Sequence, residues 1–320
     1  MKPRETFGML VAAVAMLLVS ATLGLTQTYP TQRITVVVPF GAGSVTDILA
    51  RIFAEEMRRR WDQQVIVENR PGLAGTAGVA KATPDGYTLM VTSNGHTVSA
   101  LVSKSVSFDP VKDFSGITRL GSVPLYLIVH PGGPAKNLKE LIAAAKERPG
   151  KLNFSSPGLA STTFIAGALF RKAAAIDILH VPFRSAPDAV TAVVRGDVDM
   201  YFAPVNLSKE MAEAGKVVPV AAATAQRIPD MPDVPTFTEE GLPFVYDSWF
   251  GLLAPAGVPR PILDKISQEW AAALQTPEMQ AKLKSQFVIG ASDTPEAFDK
   301  IIGDETAHLT AVFKEANISQ

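Results

Sequence analysis

The chain has 320 residues, 47% hydrophobic and 19% charged, which is material for about two domains of ordinary size. Thirty Lys and Arg against 31 Asp and Glu leave a formal net charge of -1, which excludes a global basic field for nucleic acid or an anionic membrane surface. There is no cysteine, so disulfides, thiol catalysis, iron-sulfur clusters, thiolate zinc sites and lipid attachment through an N-terminal cysteine are excluded too.

In chain order, Lys2 and Arg4 precede an apolar run from about Phe7 to Val19, followed by small residues. This is the order of a secretory leader, and the run of roughly 13 residues is shorter than the ~18 of a membrane span. Residues 1–28 are therefore expected to be a signal peptide, and the mature protein to be periplasmic. From Tyr29 onward, short apolar runs alternate with helical patterns. Strands are expected at Ile34–Val38, Val65–Val67, Thr88–Thr92, Leu125–Val129, Leu152–Ser155, Ile178–Val181, Asp199–Phe202, Val217–Ala222 and Gly251–Leu253. Between them, apolar spacings of three and four mark helices, as in Ile48, Leu49, Ile52, Phe53 and in Val190, Val193, Val194. Helix starts are announced by Asn137 with Glu140 and by Thr276-Pro277 and Thr294-Pro295. Pro261 to Asn317 reads as three successive helices. The alternation implies an α/β protein with mostly parallel sheets, arranged as two lobes rather than one long sheet.

Short loops rich in small residues follow the strands: "PFGAGSVTD" after Val38, "TSNGHT" after Val91, "SSPGLAST" after Phe154 and "PFRSAPD" after Val181. Each leads into a helix or a further turn, so N–H groups and hydroxyls can gather at the carboxyl ends of the strands, where open α/β sheets bind ligands. Together they predict a polar, donor-rich cleft suited to a carboxylate. Nucleotide motifs are incomplete, since "GAGSVT" has Thr46 where the third glycine would stand and no Gly-Lys-Ser/Thr occurs. The four histidines, His96, His130, His180 and His308, form no metal-ligand cluster by spacing. No G-x-S-x-G elbow is present, yet a loop serine beside His96 or His180 leaves an exported serine hydrolase open as the alternative, decided by a serine oxygen within hydrogen-bond reach of a histidine nitrogen. Phe40 and Phe183 either wall the cleft or sit in the core.

The stretches "YPTQRITVVVPFGAGSVTDILAR", "VENRPGLAGTAGVAKATPDGYTLMVTS", "LNFSSPGLAST", "HVPFRSAPDAVTAVVRGDVDMYFAP" and "WFGLLAPAGVP" resemble the Bug (TctC-type) family of extracytoplasmic receptors of tripartite tricarboxylate transporters. The similarity runs in order from about Tyr29 to Ser319. It implies a two-lobed, periplasmic-binding-protein-like Venus flytrap of type II-like topology that closes on a small organic acid and delivers it to membrane permease subunits. A monomer is expected, with no cofactor, no metal, no nucleic acid and no catalysis; service to a sensor rather than to uptake is the second alternative. Lobe 1 would be residues 29–128 plus 250–320, and lobe 2 residues 129–249. By position, the resemblance assigns ligand binding to Phe40, Gly41, Gly43, Ser44 and Thr46 in the first lobe and to Ser156, Gly158, Ala160, Ser161 and Thr162 in the second. Ser93, Asn94, Phe183, Ser185, Ala203 and Pro204 would line the remainder. Asp47 falls in the matching motif, but an acid in a first helical turn suits the macrodipole and is read as structural.

The chain departs from the family at three cleft loops, with Gly43-Ser44 in place of two glycines, Ala160 in place of a glycine, and Arg184 running directly into Ser185. Losing glycine adds bulk where main chain meets ligand, so an altered or narrowed choice of ligand is expected. Leu309, where relatives commonly carry Trp, concerns packing.

Overall fold

In the computed structural model, residues 29–103, 106–229, 231–246 and 248–315 are described. The chain divides into a short unit, Met1–Thr31, and a large one, Gln32–Gln320. The expected leader lies outside the described residues; every element below belongs to the large unit. No described helix is long and apolar enough to cross a membrane.

The first sheet has the order β11-β4-β10-β3-β1-β2, built from β1 (Ile34–Val38), β2 (Val65–Asn69), β3 (Thr88–Ser93), β4 (Phe114–Ser122), β10 (Phe250–Pro255) and β11 (Ile289–Gly290). Helices α1 (Val45–Trp61), α2 (Leu73–Ala80), α8 (Arg260–Leu274) and α10 (Pro295–Glu315) pack against it. The second sheet, β7-β6-β8-β5-β9, contains β5 (Leu125–Val129), β6 (Asn153–Ser156), β7 (Leu179–Pro182), β8 (Met200–Pro204) and β9 (Val218–Ala222). It is packed by α5 (Thr162–Ala173), α6 (Ala186–Arg195) and α7 (Val205–Glu213), while Leu138 and Leu141 of α4 (Leu138–Glu147) join its core. Helix α9 (Pro277–Ser285) follows α8.

The two-sheet α/β architecture agrees with the sequence reading, but the sheets are mixed rather than mostly parallel. Strand β1 pairs in parallel with β2 and β3, and β6 with β7 and β8. Around β4, β5 and β10 the pairing is antiparallel. These are the strands through which the chain passes between the sheets, so they enter without the crossover helix that parallel pairing requires. Strand β4 is absent from the expected elements because Gly116 and Gly121 interrupt its apolar pattern. The glycines have a packing cause: a Cβ on Gly116 would lie 2.9 Å from Asp299 Oδ1 and 3.0 Å from Phe298, where α10 crosses the strand.

The helix starts follow the caps read from sequence. Asn137 accepts the Glu140 N–H at 2.9 Å, Thr276 that of Met279 and Thr294 that of Ala297. The Glu140 carboxylate takes the Lys136 N–H, one residue before the cap itself.

Two segments share the cores of both sheets. Helix α10 places Phe298 and Ile302 in a cluster with Val37, Met90 and Leu253, and places Leu309 and Phe313 in the cluster of Phe154, Phe164 and Phe202. Val98, in the 3-10 turn after β3 (Asn94–Val98), and Val102, in the short helix α3 (Ser99–Val102), also join the second cluster. The two strand-to-strand passages are tied together where the Ser248 hydroxyl donates to the Val123 carbonyl at 2.8 Å.

Candidate functional site

The loop after β1 is held rigid by one buried carboxylate. Asp47, in the first turn of α1, accepts from the Gly43 N–H (3.0 Å), from Arg51 (3.1 Å) and from Asn69 Nδ2 (2.9 Å). Burial opposes its charge, but those three donors together hold the carboxyl below its ordinary pKa. Asn69 Nδ2 also donates to the Phe40 carbonyl, which ties the end of β2 to the same loop. Asp47 is structural, as the sequence reading had it. Ser44 caps α1 by accepting the Asp47 N–H at 3.2 Å.

Two further serines repeat this arrangement. Ser161 caps α5 by accepting the Phe164 N–H, and Ser185 caps α6 by accepting that of Asp188. Both lie at the carboxyl ends of second-sheet strands, and Ser44 lies at that of β1. The first turns of the three helices meet around a small cavity of about 30 Å³, lined by Ser44, Val45 and Thr46, by Ser161, Thr162 and Thr163, and by Ala186. Pro204, which precedes α7, lines it too, with Phe40, Ser93, Leu125, Pro157, Tyr201 and Phe250. A helix leaves its first N–H groups without intrahelical partners and carries about half a positive charge at that end. Residues from three such first turns line the void, and Lys and Arg are missing from its lining. The Ser93 hydroxyl, in a residue only 2% exposed, makes no hydrogen bond. Burial pushes the Tyr201 phenol up, so it remains a neutral hydroxyl.

A second cavity of about 230 Å³ adjoins the first at Phe40 and Pro157. First-sheet connections supply Pro39, Gly72, Leu73, Thr76, Thr92, His96, Ser99 and Ser103; second-sheet loops supply Pro157, Gly158, Leu159, Ala160 and Pro182. His96 is buried between Phe108 and Phe114, and burial brings its pKa down to about 4. Its Nε2 lies 2.8 Å from the Pro110 carbonyl, which only accepts, so Nε2 carries the proton and Nδ1 a lone pair.

Of the residues assigned from the resemblance, Phe40, Ser44, Thr46, Ser93, Ser161, Thr162 and Pro204 line the small cavity, and Phe40, Gly158 and Ala160 the larger. The others have different partners. The Gly43 N–H is occupied by Asp47. Gly41 packs against the facing loop, where a Cβ would lie 2.9 Å from Ser185 Cβ. Asn94 is fully buried in a network: its Nδ2 donates to Tyr246 and Glu305, and its Oδ1 accepts from Thr162. Phe183 donates its N–H to Ser156, and Ala203 sits within β8 opposite Tyr126. The larger cavity's wall on α2, at Leu73 and Thr76, was missed, although "PGLAGTAG" obeys the same rule of a small-residue loop leading into a helix.

Ser156 answers the question posed for a hydrolase, since its Oγ lies 2.7 Å from His180 Nε2. Yet Ser156 is fully buried, and its hydroxyl also bonds the N–H and carbonyl of Gly158. Burial alone drives the His180 pKa down to about 4, where a carboxylate partner would pull it the other way. The pair fastens a loop. Among the described residues no group of His, Asp and Glu could hold a metal ion.

Two α/β sheets joined by two passages, with facing loops around adjoining cavities, define a binding protein of the two-lobed periplasmic type. Residues 49–318 match the model of the TctC family, described as the tripartite tricarboxylate transporter family receptor. The chain belongs to that family, which consists of substrate-binding receptors rather than enzymes. It is 34% identical to the UPF0065 protein in the tcbD-tcbE intergenic region of Pseudomonas sp. (strain P51), over 91% of this chain and 88% of that one. Among solved structures it is similar to R. palustris Rpa4515 with adipate (30% identity, TM-score 0.84, 91% of this chain and 100% of that). It is also similar to MatC from Rhodopseudomonas palustris with bound malate (31%, TM-score 0.81, 88% and 98%).

Proposed function

We propose that this protein is an exported receptor that captures a small organic acid between two lobes and delivers it to the permease of a tripartite transporter, acting as a monomer after removal of residues 1–28. The lobes are residues 29 to about 123 plus 250–320, and about 124–249. The division is drawn at Pro124 rather than after Ile128 because β5 is hydrogen-bonded into the second sheet. The observation that carries the reading is the small cavity itself, where three serine-capped helix starts converge around an unpartnered buried hydroxyl. Its volume of about 30 Å³ exceeds the ~10–15 Å³ that one water needs, which leaves room for a small polar head such as a carboxylate.

Uncharged donors fit a carrier. A buried ion pair, once formed, is costly to break from one side, whereas dipoles supplied by two lobes disengage together as the lobes part. The similarity to proteins solved with adipate and with malate supports a carboxylate as cargo. Isothermal titration with a panel of carboxylates tests the reading: at least one binds, its neutral amide does not, and Ser93→Ala weakens binding about tenfold, the worth of one hydrogen bond to a charged group. Failure of every carboxylate to bind the folded protein overturns it.

A further inference from the structure

We propose that the ligand is a monocarboxylate with an apolar, ring-sized body, its head in the small cavity and its body in the larger one. This rests on the receptor reading above. An apolar cavity of about 150 Å³ holds benzene, so about 230 Å³ takes a six-membered ring with a small substituent. The flat surfaces facing that volume are Pro39, Phe40, Pro157 and Pro182, and the branched ones are Leu73 and Leu159. Such surfaces gain from burying a ring.

A second carboxylate has no cationic counterpart there. Lys and Arg are absent from the lining. His96 commits its N–H to the Pro110 carbonyl and holds a lone pair on Nδ1, which a carboxylate oxygen repels and a ligand hydroxyl satisfies. The Ser99 hydroxyl is likewise spent on the His96 carbonyl at 2.8 Å. A second anion placed among these groups loses its hydration without regaining charge-assisted hydrogen bonds. Of the helix starts, those that line the small cavity are assigned to the first carboxylate, and the start of α2 borders the larger one through Gly72 and Leu73.

Ala160 contributes a methyl to the wall of the larger cavity, and Ser44 borders the smaller one.

Titration of the purified protein with benzoate, cyclohexanecarboxylate, adipate, malate and benzamide tests the proposal. Benzoate or cyclohexanecarboxylate is expected to bind at least tenfold more tightly than either diacid, with benzamide inert. Adipate or malate binding as tightly as the monoacids overturns the ligand class and leaves the receptor reading standing; silence from all four acids overturns both. Leu73→Arg, which places a cation on the apolar wall at the half-exposed start of α2, is expected to reverse the order in favour of adipate. Its unliganded melting temperature reports separately on folding. A folded Leu73→Arg that keeps the monoacid preference also overturns the proposal.

Discussion

At the scale of single residues, the histidines carry the clearest consequence of burial. His96 and His180 are both held neutral, with pKa values near 4 against 6.5 when exposed. Between those values the unfolded chain binds protons that the folded chain refuses, so stability is full above about pH 6.5 and is lost as the pH falls toward 4. By pH 5 each histidine has withdrawn on the order of 2 kcal/mol. Asp47, its folded pKa depressed, adds a further loss at lower pH, as the carboxyl protonates and releases Arg51, Gly43 and Asn69. Urea denaturation at pH 7 and pH 5 measures the drop, and His180→Asn should recover about half of it. An unchanged pH slope in that variant would show that His180 titrates freely in the fold.

At the scale of elements, α10 decides how the two sheets are coupled. Its Glu305 carboxylate accepts from Asn94 Nδ2 at 3.1 Å and from Trp249 Nε1 at 2.6 Å, one donor following β3 and the other preceding β10. Asn94 passes the connection across the cleft to Thr162, the first residue of α5, at 2.6 Å. The chain thus uses Asn94 as a clasp between facing loops, and the resemblance alone had placed it among ligand-binding residues. Glu305→Gln keeps the shape and replaces one acceptor by a donor, so one of the two bonds fails. The expected cost is about 1 to 3 kcal/mol in unfolding free energy, measured by urea denaturation, because the donor left behind is buried. A variant as stable as the parent would mean that water replaces the lost acceptor.

At the scale of the whole molecule, the facing loops touch. A Cβ on Gly95 would lie 2.1 Å from the Ala160 carbonyl oxygen and 2.5 Å from the Ser161 nitrogen, all main-chain atoms that cannot step aside. Gly41 meets Ser185 and the Arg184 carbonyl in the same manner. These glycines limit how near the proposed lobes can approach, and therefore the affinity for a ligand held by both. Gly95→Ala should leave the unliganded protein folded, with a melting temperature within a few degrees of the parent, while ligand affinity falls at least a hundredfold. Small-angle scattering should then show no ligand-induced decrease in the radius of gyration. Unimpaired binding by this variant would show that the loops need not meet for capture.

Patterns local in the chain were legible without coordinates. Apolar periodicity located the core strands and helices, and the caps at Asn137, Thr276 and Thr294 followed from side chains that reach only three residues away. The loops after β1, β3 and β6 could be expected to line a cleft because strand-loop-helix order alone puts N–H groups at the sheet's carboxyl edge. Sequence did not reveal how those loops divide their labour. The Gly43 N–H faces inward to Asp47, and Asn94 faces Thr162 and Glu305, partners 68 and 211 residues away. Strand β4 escaped notice for the same reason, since Gly116 answers to a helix that begins after residue 294 and Gly121 to β11 and the residue before it. Cavity shape and hydrogen-bond partnership are properties of distant segments brought together, and only the packed chain decides them.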